Sequence, residues 1–358
     1  MKGQKRIVTA ILAAFMLLSL AACNSGAANN SQAPSAPPAE SGALEASAAP
    51  EASVAPEVQW PKNIEIVVPA GAGGDTDFNA RALAEKLNEK LPANVVVSNV
   101  NGGGGSTGSR QVKNAEPDGS SVLFYHTAFL VNKASGTTDY GFDEFSLACI
   151  AAMSRGNVVT VRAELGINTL QELYDYTQAH PGELKMAAQT GATSYAISMQ
   201  MKAAGFDMNV VDAGGAADRL AAIAGGHVDV ILAAYGSIKD YVAEGTLVAL
   251  AMDGEADLTV ADQNIDVKAI HNLGYDSIKL PFYYFLAFPK GTDEALVQAF
   301  SDAVKDIVEN DADYQQKIYD AYLQEPFYEN TEDGTATFAE IEQLLETVDL
   351  TGKVEAAS

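Results

Sequence analysis

The pattern of apolar and polar positions divides the chain into short strands that alternate with amphipathic helices. The β-branched apolar run at 64–68 is typical of a buried strand, and apolar residues at helical spacing follow it from Phe78 onward. Similar strand–loop–helix units recur at 185–204 and 210–224. Helices are predicted near the end of the chain at 293–308, 312–321 and 337–348. The alternation predicts an α/β fold built on parallel strands.

The loop at 70–77 joins the first strand to the first helix. It contains three glycines followed by Asp75, Thr76 and Asp77, which are residue types typical of helix starts. Such a junction places free backbone N–H groups at the positive end of a helix dipole, where an anion binds favourably. The alternative is a glycine-rich turn with an ordinary helix cap, because short glycine motifs also occur without a ligand.

The first 57 residues have the pattern of an export signal followed by a flexible linker to the membrane, here called the tether. Residues 1–22 combine a basic start with an apolar stretch at 7–20, which is typical of a signal peptide. The small residues before Cys23 resemble a bacterial lipobox, so we predict that Cys23 is lipidated and anchors the protein to the outer face of a bacterial membrane. The alternative is an ordinary signal peptide with an incidental cysteine. The composition of 23–57 predicts a disordered tether.

Charge and composition limit the possible partners. The 358 residues are 47% hydrophobic, which is sufficient for two domains. A formal net charge of −25 argues against nucleic acid, which requires a basic footprint. The same charge would repel an anionic ligand at long range, but physiological salt screens exposed charges beyond about 8–10 Å. Whether an anion binds therefore depends on the N–H donors close to it. A zwitterionic or neutral ligand is an alternative.

Motifs for metal binding and catalysis are missing from the sequence. Asp75, Asp77 and Asn79 imitate the start of an EF-hand loop, but Ala80 and Lys86 stand where that loop requires Gly and Glu. There is also no Gly-x-Ser-x-Gly elbow and no Walker lysine. We therefore predict no metal, no cofactor and no enzymatic activity. The histidines, which show no metal-ligand spacing, are His126, His180, His227 and His271.

Several segments between residues 61 and 348 resemble the tripartite tricarboxylate transporter receptors, also called Bug proteins. Each segment is short, but their order and spacing together are specific to that family. They are Pro61-Lys62-x-Ile64, Val68-Pro69 with Gly73-Gly74-x-Thr76-Asp77-x-x-Ala80-Arg81, Asn99-x-x-Gly102-x-Gly104-Gly105, Ala115-x-Pro117-Asp118-Gly119, Leu170-x-Glu172-Leu173 with His180-Pro181-Gly182-x-Leu184, and Gly214-x-Ala216-Ala217 with Leu220 and Gly225-Gly226-x-Val228-Asp229.

The resemblance implies a monomeric extracytoplasmic solute receptor with the two-lobed fold of periplasmic binding proteins, each lobe a mostly parallel sheet flanked by helices. We predict one lobe at 58–162 plus 282–350 and the other at 163–281. The implied ligand is a small carboxylate, di- or tricarboxylate-like, held in the cleft between the lobes. Loops 70–77 and 189–194 would hold it, largely through backbone N–H groups and water, and integral-membrane transporter subunits would receive it.

The predicted ligand site combines these two loops with a third loop and with residues at strand ends. Helix capping or packing in the core is the alternative for its hydroxyl-bearing and strand-end members. Where the family usually carries Tyr-Lys before this third loop, the chain has Asp212-Ala213, which leaves the charge of the ligand open. The predicted residues are Ala70, Gly71, Ala72, Gly73, Gly74, Asp75, Thr76, Asp77, Tyr125, His126, Thr127, Asn157, Gln189, Thr190, Gly191, Thr193, Ser194, Ala213, Gly214, Gly215 and Tyr235.

Two other classes of function compete with a transport receptor. A sensor that signals through a membrane partner would bind its ligand in the same way, so the sequence cannot separate the two. An exported α/β hydrolase is the other candidate, and the missing nucleophile motif argues against it.

Overall fold

The computed structural model describes residues 58–352 and 355–356. The predicted signal peptide, the lipidated Cys23 and the tether lie outside the described residues. Within the described part of the chain, no helix is both long enough and apolar enough to cross a membrane.

Strands and helices alternate along most of the described chain, as the hydrophobic pattern predicts. The strands are β1 (Asn63–Val68), β2 (Asn94–Asn99), β3 (Ser121–His126), β4 (Phe145–Met153), β5 (Asn157–Arg162), β6 (Lys185–Ala188), β7 (Asn209–Asp212), β8 (Val230–Ala234), β9 (Leu247–Met252), β10 (Leu258–Val260), β11 (Ile265–Val267), β12 (Tyr283–Pro289) and β13 (Glu355–Ala356). The helices are α1 (Asp75–Lys90), α2 (Ser106–Lys113), α3 (Ala128–Ala134), α4 (Leu170–Ala179), α5 (Thr193–Ala203), α6 (Ala216–Ala224), α7 (Tyr235–Ala243), α8 (Glu294–Asn310), α9 (Ala312–Tyr322) and α10 (Thr331–Leu345).

The first sheet contains five strands in the order β2-β1-β3-β12-β4. Strands β1, β2 and β3 are parallel, whereas β12 runs antiparallel to both β3 and β4. All residues of β3 and β12 are buried, which agrees with their continuous apolar sequences. Strand β12 therefore returns the chain to the first sheet, between β3 and β4, after β5 to β9 of the second sheet have formed.

The second sheet contains six strands in the order β13-β7-β6-β8-β5-β9. Strands β6, β7 and β8 are parallel, and β5 runs antiparallel to β8 and β9. The predicted α/β fold, with two sheets flanked by helices, is thus confirmed. The predicted boundaries of the two lobes stay a prediction. They place β5 in the first lobe, whereas β5 pairs with β8 and β9 of the second sheet.

Helix α1 packs its apolar face on the first sheet. Ala80, Leu83, Ala84 and Leu87 are buried at the helical spacing that the sequence predicts. Near the end of the chain, α10 begins six residues earlier than predicted. It does so because Asn330 caps it, its side-chain oxygen accepting hydrogen bonds from the N–H groups of Glu332 and Asp333.

Loops that follow strands of the two sheets touch each other directly. A Cβ atom on Gly104 would lie 2.5 Å from the carbonyl oxygen of Thr190. The side-chain amide nitrogen of Asn132 donates to the carbonyl oxygens of Gly104, at 2.9 Å, and Gly191, at 2.5 Å. Only glycine permits this approach at position 104, and the contact sets how closely the two groups of loops face each other.

We expect Gly104→Ala to destabilise the protein more than Gly136→Ala. Both glycines have positive φ, +62° and +72°, but an added Cβ at Gly136 meets no atom within 4 Å. Gly136→Ala should therefore cost only the backbone strain, about 1 kcal/mol. Gly104→Ala should cost about 1–3 kcal/mol more, because the methyl group overpacks the contact with Thr190. Chemical unfolding of both variants measures the difference, and equal losses would refute the proposed role of this contact.

Candidate functional site

A cavity of about 240 Å³ lies where the loops after strands of both sheets meet. Its walls come from the segments that follow β1, β2, β6, β7 and β8, together with the end of β3, the start of β5 and Phe282 before β12. A larger groove of about 660 Å³ lies against β4, α8 and α10, but it contains none of the predicted site residues. The smaller cavity is therefore the candidate ligand site.

Four helices begin at this cavity: α1, α5, α6 and α7 each contribute a residue of their first turn to its wall. The first N–H groups of a helix have no partner within the helix, and its dipole places partial positive charge there. The sequence predicts three of these junctions. The fourth, at α7, was missed because no glycine-rich loop precedes it, and Tyr235 was interpreted as a strand end. The shared geometry suits an anion.

The structure brings many of the predicted residues together at the cavity and leaves others outside its wall. Whether any of them binds a ligand stays a prediction. The predicted residues that line it are Ala70, Gly71, Ala72, Gly74, Asp75, Thr76, Tyr125, His126, Asn157, Gln189, Thr193, Ser194 and Gly215. The predicted residues that do not line it are Gly73, Asp77, Thr127, Thr190, Gly191, Ala213, Gly214 and Tyr235. Lining residues outside the predicted set are Pro69, Asn101, Ala192, Ala216, Ala217, Asp218, Arg219, Ala234, Ser237 and Phe282.

Asp77 holds the first glycine loop in place. Its carboxylate accepts hydrogen bonds of 2.9 Å from the backbone N–H of Gly73, from Arg81 Nε and from Asn99 Nδ2. Burial raises the pKa of Asp77, but the donors from Arg81, Gly73 and Asn99 outweigh it, so that the pKa is lowered overall. The side chain is thus structural, which explains why it lies outside the cavity wall.

Asp212 joins the second and third loops. One carboxylate oxygen accepts from the backbone N–H of Thr190 at 3.0 Å and from its hydroxyl at 2.6 Å. The other oxygen accepts from the N–H of Gly214 at 3.0 Å. Burial raises the pKa of Asp212, but these donors and the charge of Arg219 lower it overall. The aspartate that stands where the family usually has Tyr-Lys is therefore engaged within the loops.

Arg219 is the charged residue that the sequence analysis missed. It is 6% exposed, and it donates from Nη1 to the carbonyl oxygen of Gly214 and from Nη2 to that of Leu232, at 3.0 and 3.2 Å. Burial lowers its pKa to about 10 despite the charges of nearby aspartates, so it stays protonated at neutral pH. Arg219 lies four residues before Ile223 on α6, so the two share one face of the helix. This spacing in the sequence could have indicated that Arg219 faces inward, as the buried Ile223 does.

His126 contributes a neutral ring to the cavity. Its Nδ1 accepts from the backbone N–H of Ala128 at 3.2 Å, and its ring stacks on Phe282 with centroids 4.4 Å apart. Burial, together with the positive charge of Arg219, lowers the pKa of His126 to about 3. The proton therefore resides on Nε2 at neutral pH.

Asn157 is positioned by a buried carboxyl group. Its backbone N–H donates to one oxygen of Asp253 at 2.6 Å, and its side-chain amide donates to the other at 3.2 Å. Burial raises the pKa of Asp253 to about 7, although the two donors from Asn157 oppose that shift. The pair fixes the amide at the cavity wall, with its oxygen free of partners among the described residues.

Side chains suited to a metal ion do not gather here. Within the described part of the chain, no group of three or more His, Cys, Asp or Glu side chains could hold one.

Solved structures identify the class of this fold. The structure of the periplasmic binding protein BugD has a TM-score of 0.72 at 23% identity and covers 80% of this chain and 97% of its own. An R. palustris protein solved with adipate has a TM-score of 0.74 at 21% identity, with 83% and 100% covered. The fold is thus that of a periplasmic binding protein.

The family follows from the sequence match. Residues 79–345 match the model of the tripartite tricarboxylate transporter family receptor, and the chain belongs to this family of solute receptors. The chain is also 28% identical over 275 residues to the UPF0065 protein in the gbd 5′ region of Cupriavidus necator, covering 75% of this chain and 81% of that protein. The resemblance found in the sequence is confirmed.

We expect Asp77→Asn to lower the free energy of unfolding by about 1–3 kcal/mol at pH 7, because three donors lose a charged acceptor. Because the pKa of Asp77 is lowered in the folded state, its contribution is present above the unfolded value of 3.8 and declines as the pH falls below it. Urea unfolding at pH 7 and at pH 3 measures both effects.

The matched control is Asp207→Asn, which removes the same charge from an exposed position. It should change stability by less than about 0.5 kcal/mol. Equal effects of the two substitutions would contradict the structural role of Asp77.

Proposed function

We propose that this chain is a lipid-anchored extracytoplasmic receptor. It captures a small carboxylate, di- or tricarboxylate-like, in the cavity and delivers it to the membrane subunits of a tripartite tricarboxylate-type transporter. The observation that carries the proposal is the convergence of four helix N-termini on one cavity. Membership in a receptor family supports the transport role. The adipate in the R. palustris relative supports a dicarboxylate-sized ligand.

Local electrostatics support an anionic group in a protein whose formal net charge is −25. Each helix N-terminus carries a partial charge of roughly +0.5, and N–H groups bonded to a carboxylate form charge-assisted bonds about twice as strong as neutral ones. Arg219 adds a buried positive charge at the wall. Surface carboxylates act over longer distances and are screened by salt.

A thermal-shift screen of mono-, di- and tricarboxylates and amino acids on the full chain tests the proposal. A ligand at one hundred times its Kd should stabilise the folded protein by about 2.7 kcal/mol. Gly71→Trp should abolish the shift by filling the cavity. A Cβ at Gly71 meets only Asn101 Nδ2, at 3.9 Å, so the backbone tolerates the substitution.

The control for this test is Gln171→Trp on the exposed surface of α4, outside the cavity wall, which should keep the full shift. A carboxylate that stabilised Gly71→Trp as much as the unaltered protein would place binding elsewhere. A screen with no stabilising carboxylate would overturn the proposed function.

Membrane anchoring is tested separately with Cys23→Ala. We expect the unaltered chain, expressed in a bacterium, to incorporate a labelled fatty acid and to sediment with membranes. The variant should lose the label and appear in the soluble fraction, because the acylated thiol is absent. A variant that keeps both properties would refute the anchor without affecting the ligand site.

A further inference from the structure

The loop after β2 contains an Asn-Gly pair, Asn101-Gly102, and the 358 residues contain no other. The Asn101 side chain is exposed and contributes to the cavity wall. It lies opposite the first glycine loop, because a Cβ atom added to Gly71 would be 3.9 Å from Asn101 Nδ2. A chemical change of this side chain therefore alters the wall of the candidate site.

The amide of Asn101 is folded back onto the next peptide group. Its Oδ1 accepts a hydrogen bond of 2.8 Å from the backbone N–H of Gly102. Because Oδ1 is bonded to Cγ, the same contact brings the Gly102 nitrogen close to that carbonyl carbon. Among the described residues, Asn101 Nδ2 donates to no protein group, so no further hydrogen bond restrains the amide.

Gly102 leaves the approach to Cγ open, since it has no Cβ beside its nitrogen. The loop requires glycine at this position, because φ is +138° and an added Cβ would lie 2.7 Å from Thr107 Oγ1. Asn114 provides the contrast, because it is also exposed but precedes Ala115, whose methyl group obstructs the same approach. The fold thus retains the residue that makes Asn101 reactive.

The reaction that this arrangement permits is loss of the side-chain amide as ammonia, and asparagine is a thermally labile residue type. The Gly102 nitrogen gives its proton to a base in the solvent and attacks Cγ of Asn101. The N–Cγ bond forms, the Cγ–Nδ2 bond breaks, and Nδ2 takes up a proton and leaves as ammonia. Water then opens the resulting succinimide ring to aspartate or isoaspartate. Each product carries a carboxylate where the amide stood.

We propose that Asn101 is a site of spontaneous deamidation, at which a neutral group of the cavity wall becomes a carboxylate. The charged side chains of the wall, two aspartates (Asp75, Asp218) and one arginine (Arg219), sum to −1, and the product adds a further negative charge. At short range this charge repels a carboxylate ligand with little screening by salt. The receptor therefore loses affinity irreversibly as it ages. This consequence rests on the proposed function, whereas the modification does not.

Peptide mass spectrometry tests the modification, with fragmentation to assign each site. The full chain is incubated at physiological temperature and mildly alkaline pH. We expect Asn101 to gain the mass difference between an amide and an acid, with isoaspartate among the products, while Asn114 keeps its amide over the same time. Asn101→Gln should block the change, because its longer side chain would have to close a slower six-membered ring. Equal conversion of Asn101 and Asn114 would overturn the proposal.

Calorimetric titration of fresh and incubated protein tests the consequence, with the most stabilising carboxylate of the thermal-shift screen as the probe. We expect incubation to raise its Kd about tenfold, because a like charge a few ångströms away costs on that order. Asn101→Asp should show the raised Kd without incubation. The affinity of Asn101→Gln, whatever its starting value, should not change during incubation.

The outcomes separate this inference from the proposed function. Protein that is deamidated at position 101 but keeps its fresh Kd would overturn the effect on the ligand. A loss of affinity that Asn101→Gln shares would overturn its assignment to this residue. If no carboxylate binds the fresh protein, the proposed function is wrong, and the mass measurement still decides the modification.

Discussion

The carboxylates of Asp77 and Asp212 hold the loops around which the candidate site is built. Asp77 fixes the first loop through Gly73, Arg81 and Asn99, and Asp212 connects the second loop to the third. A glycine-rich loop has a large conformational entropy, so N–H groups pointing at one cavity require such cross-links. These acidic side chains accept hydrogen bonds from loop N–H groups of Gly73, Thr190 and Gly214, residues that do not line the cavity.

Burial sets the charge state of the cavity. Arg219 keeps its proton at neutral pH because its pKa, although lowered, stays at about 10. His126, next to this cation and out of water, has a pKa of about 3 and stays neutral. Arg219 is thus charged and His126 uncharged across the physiological pH range. The remaining charged side chains of the wall are Asp75 and Asp218.

The sequence predicted the local parts of the site well. The strand before residue 70, the glycines after it and the helix from Asp75 are found in the structure, because each depends on neighbouring residues alone. The order and spacing of short motifs also identified the family correctly. The direction of single side chains was less predictable. Asp75 and Asp77 are two residues apart in similar surroundings, yet one lines the cavity and the other holds the loop.

What the amino-acid sequence established by itself is the α/β class, the three glycine-containing helix starts and the family, since these follow from periodicity and local motifs. The tertiary structure alone revealed that α7 provides a fourth helix start, that Arg219 is buried at the cavity and that Asp212 is occupied by the loops. These features depend on contacts between segments far apart in the chain. The periodicity of one segment carries no information about which distant carbonyl or carboxylate it will meet.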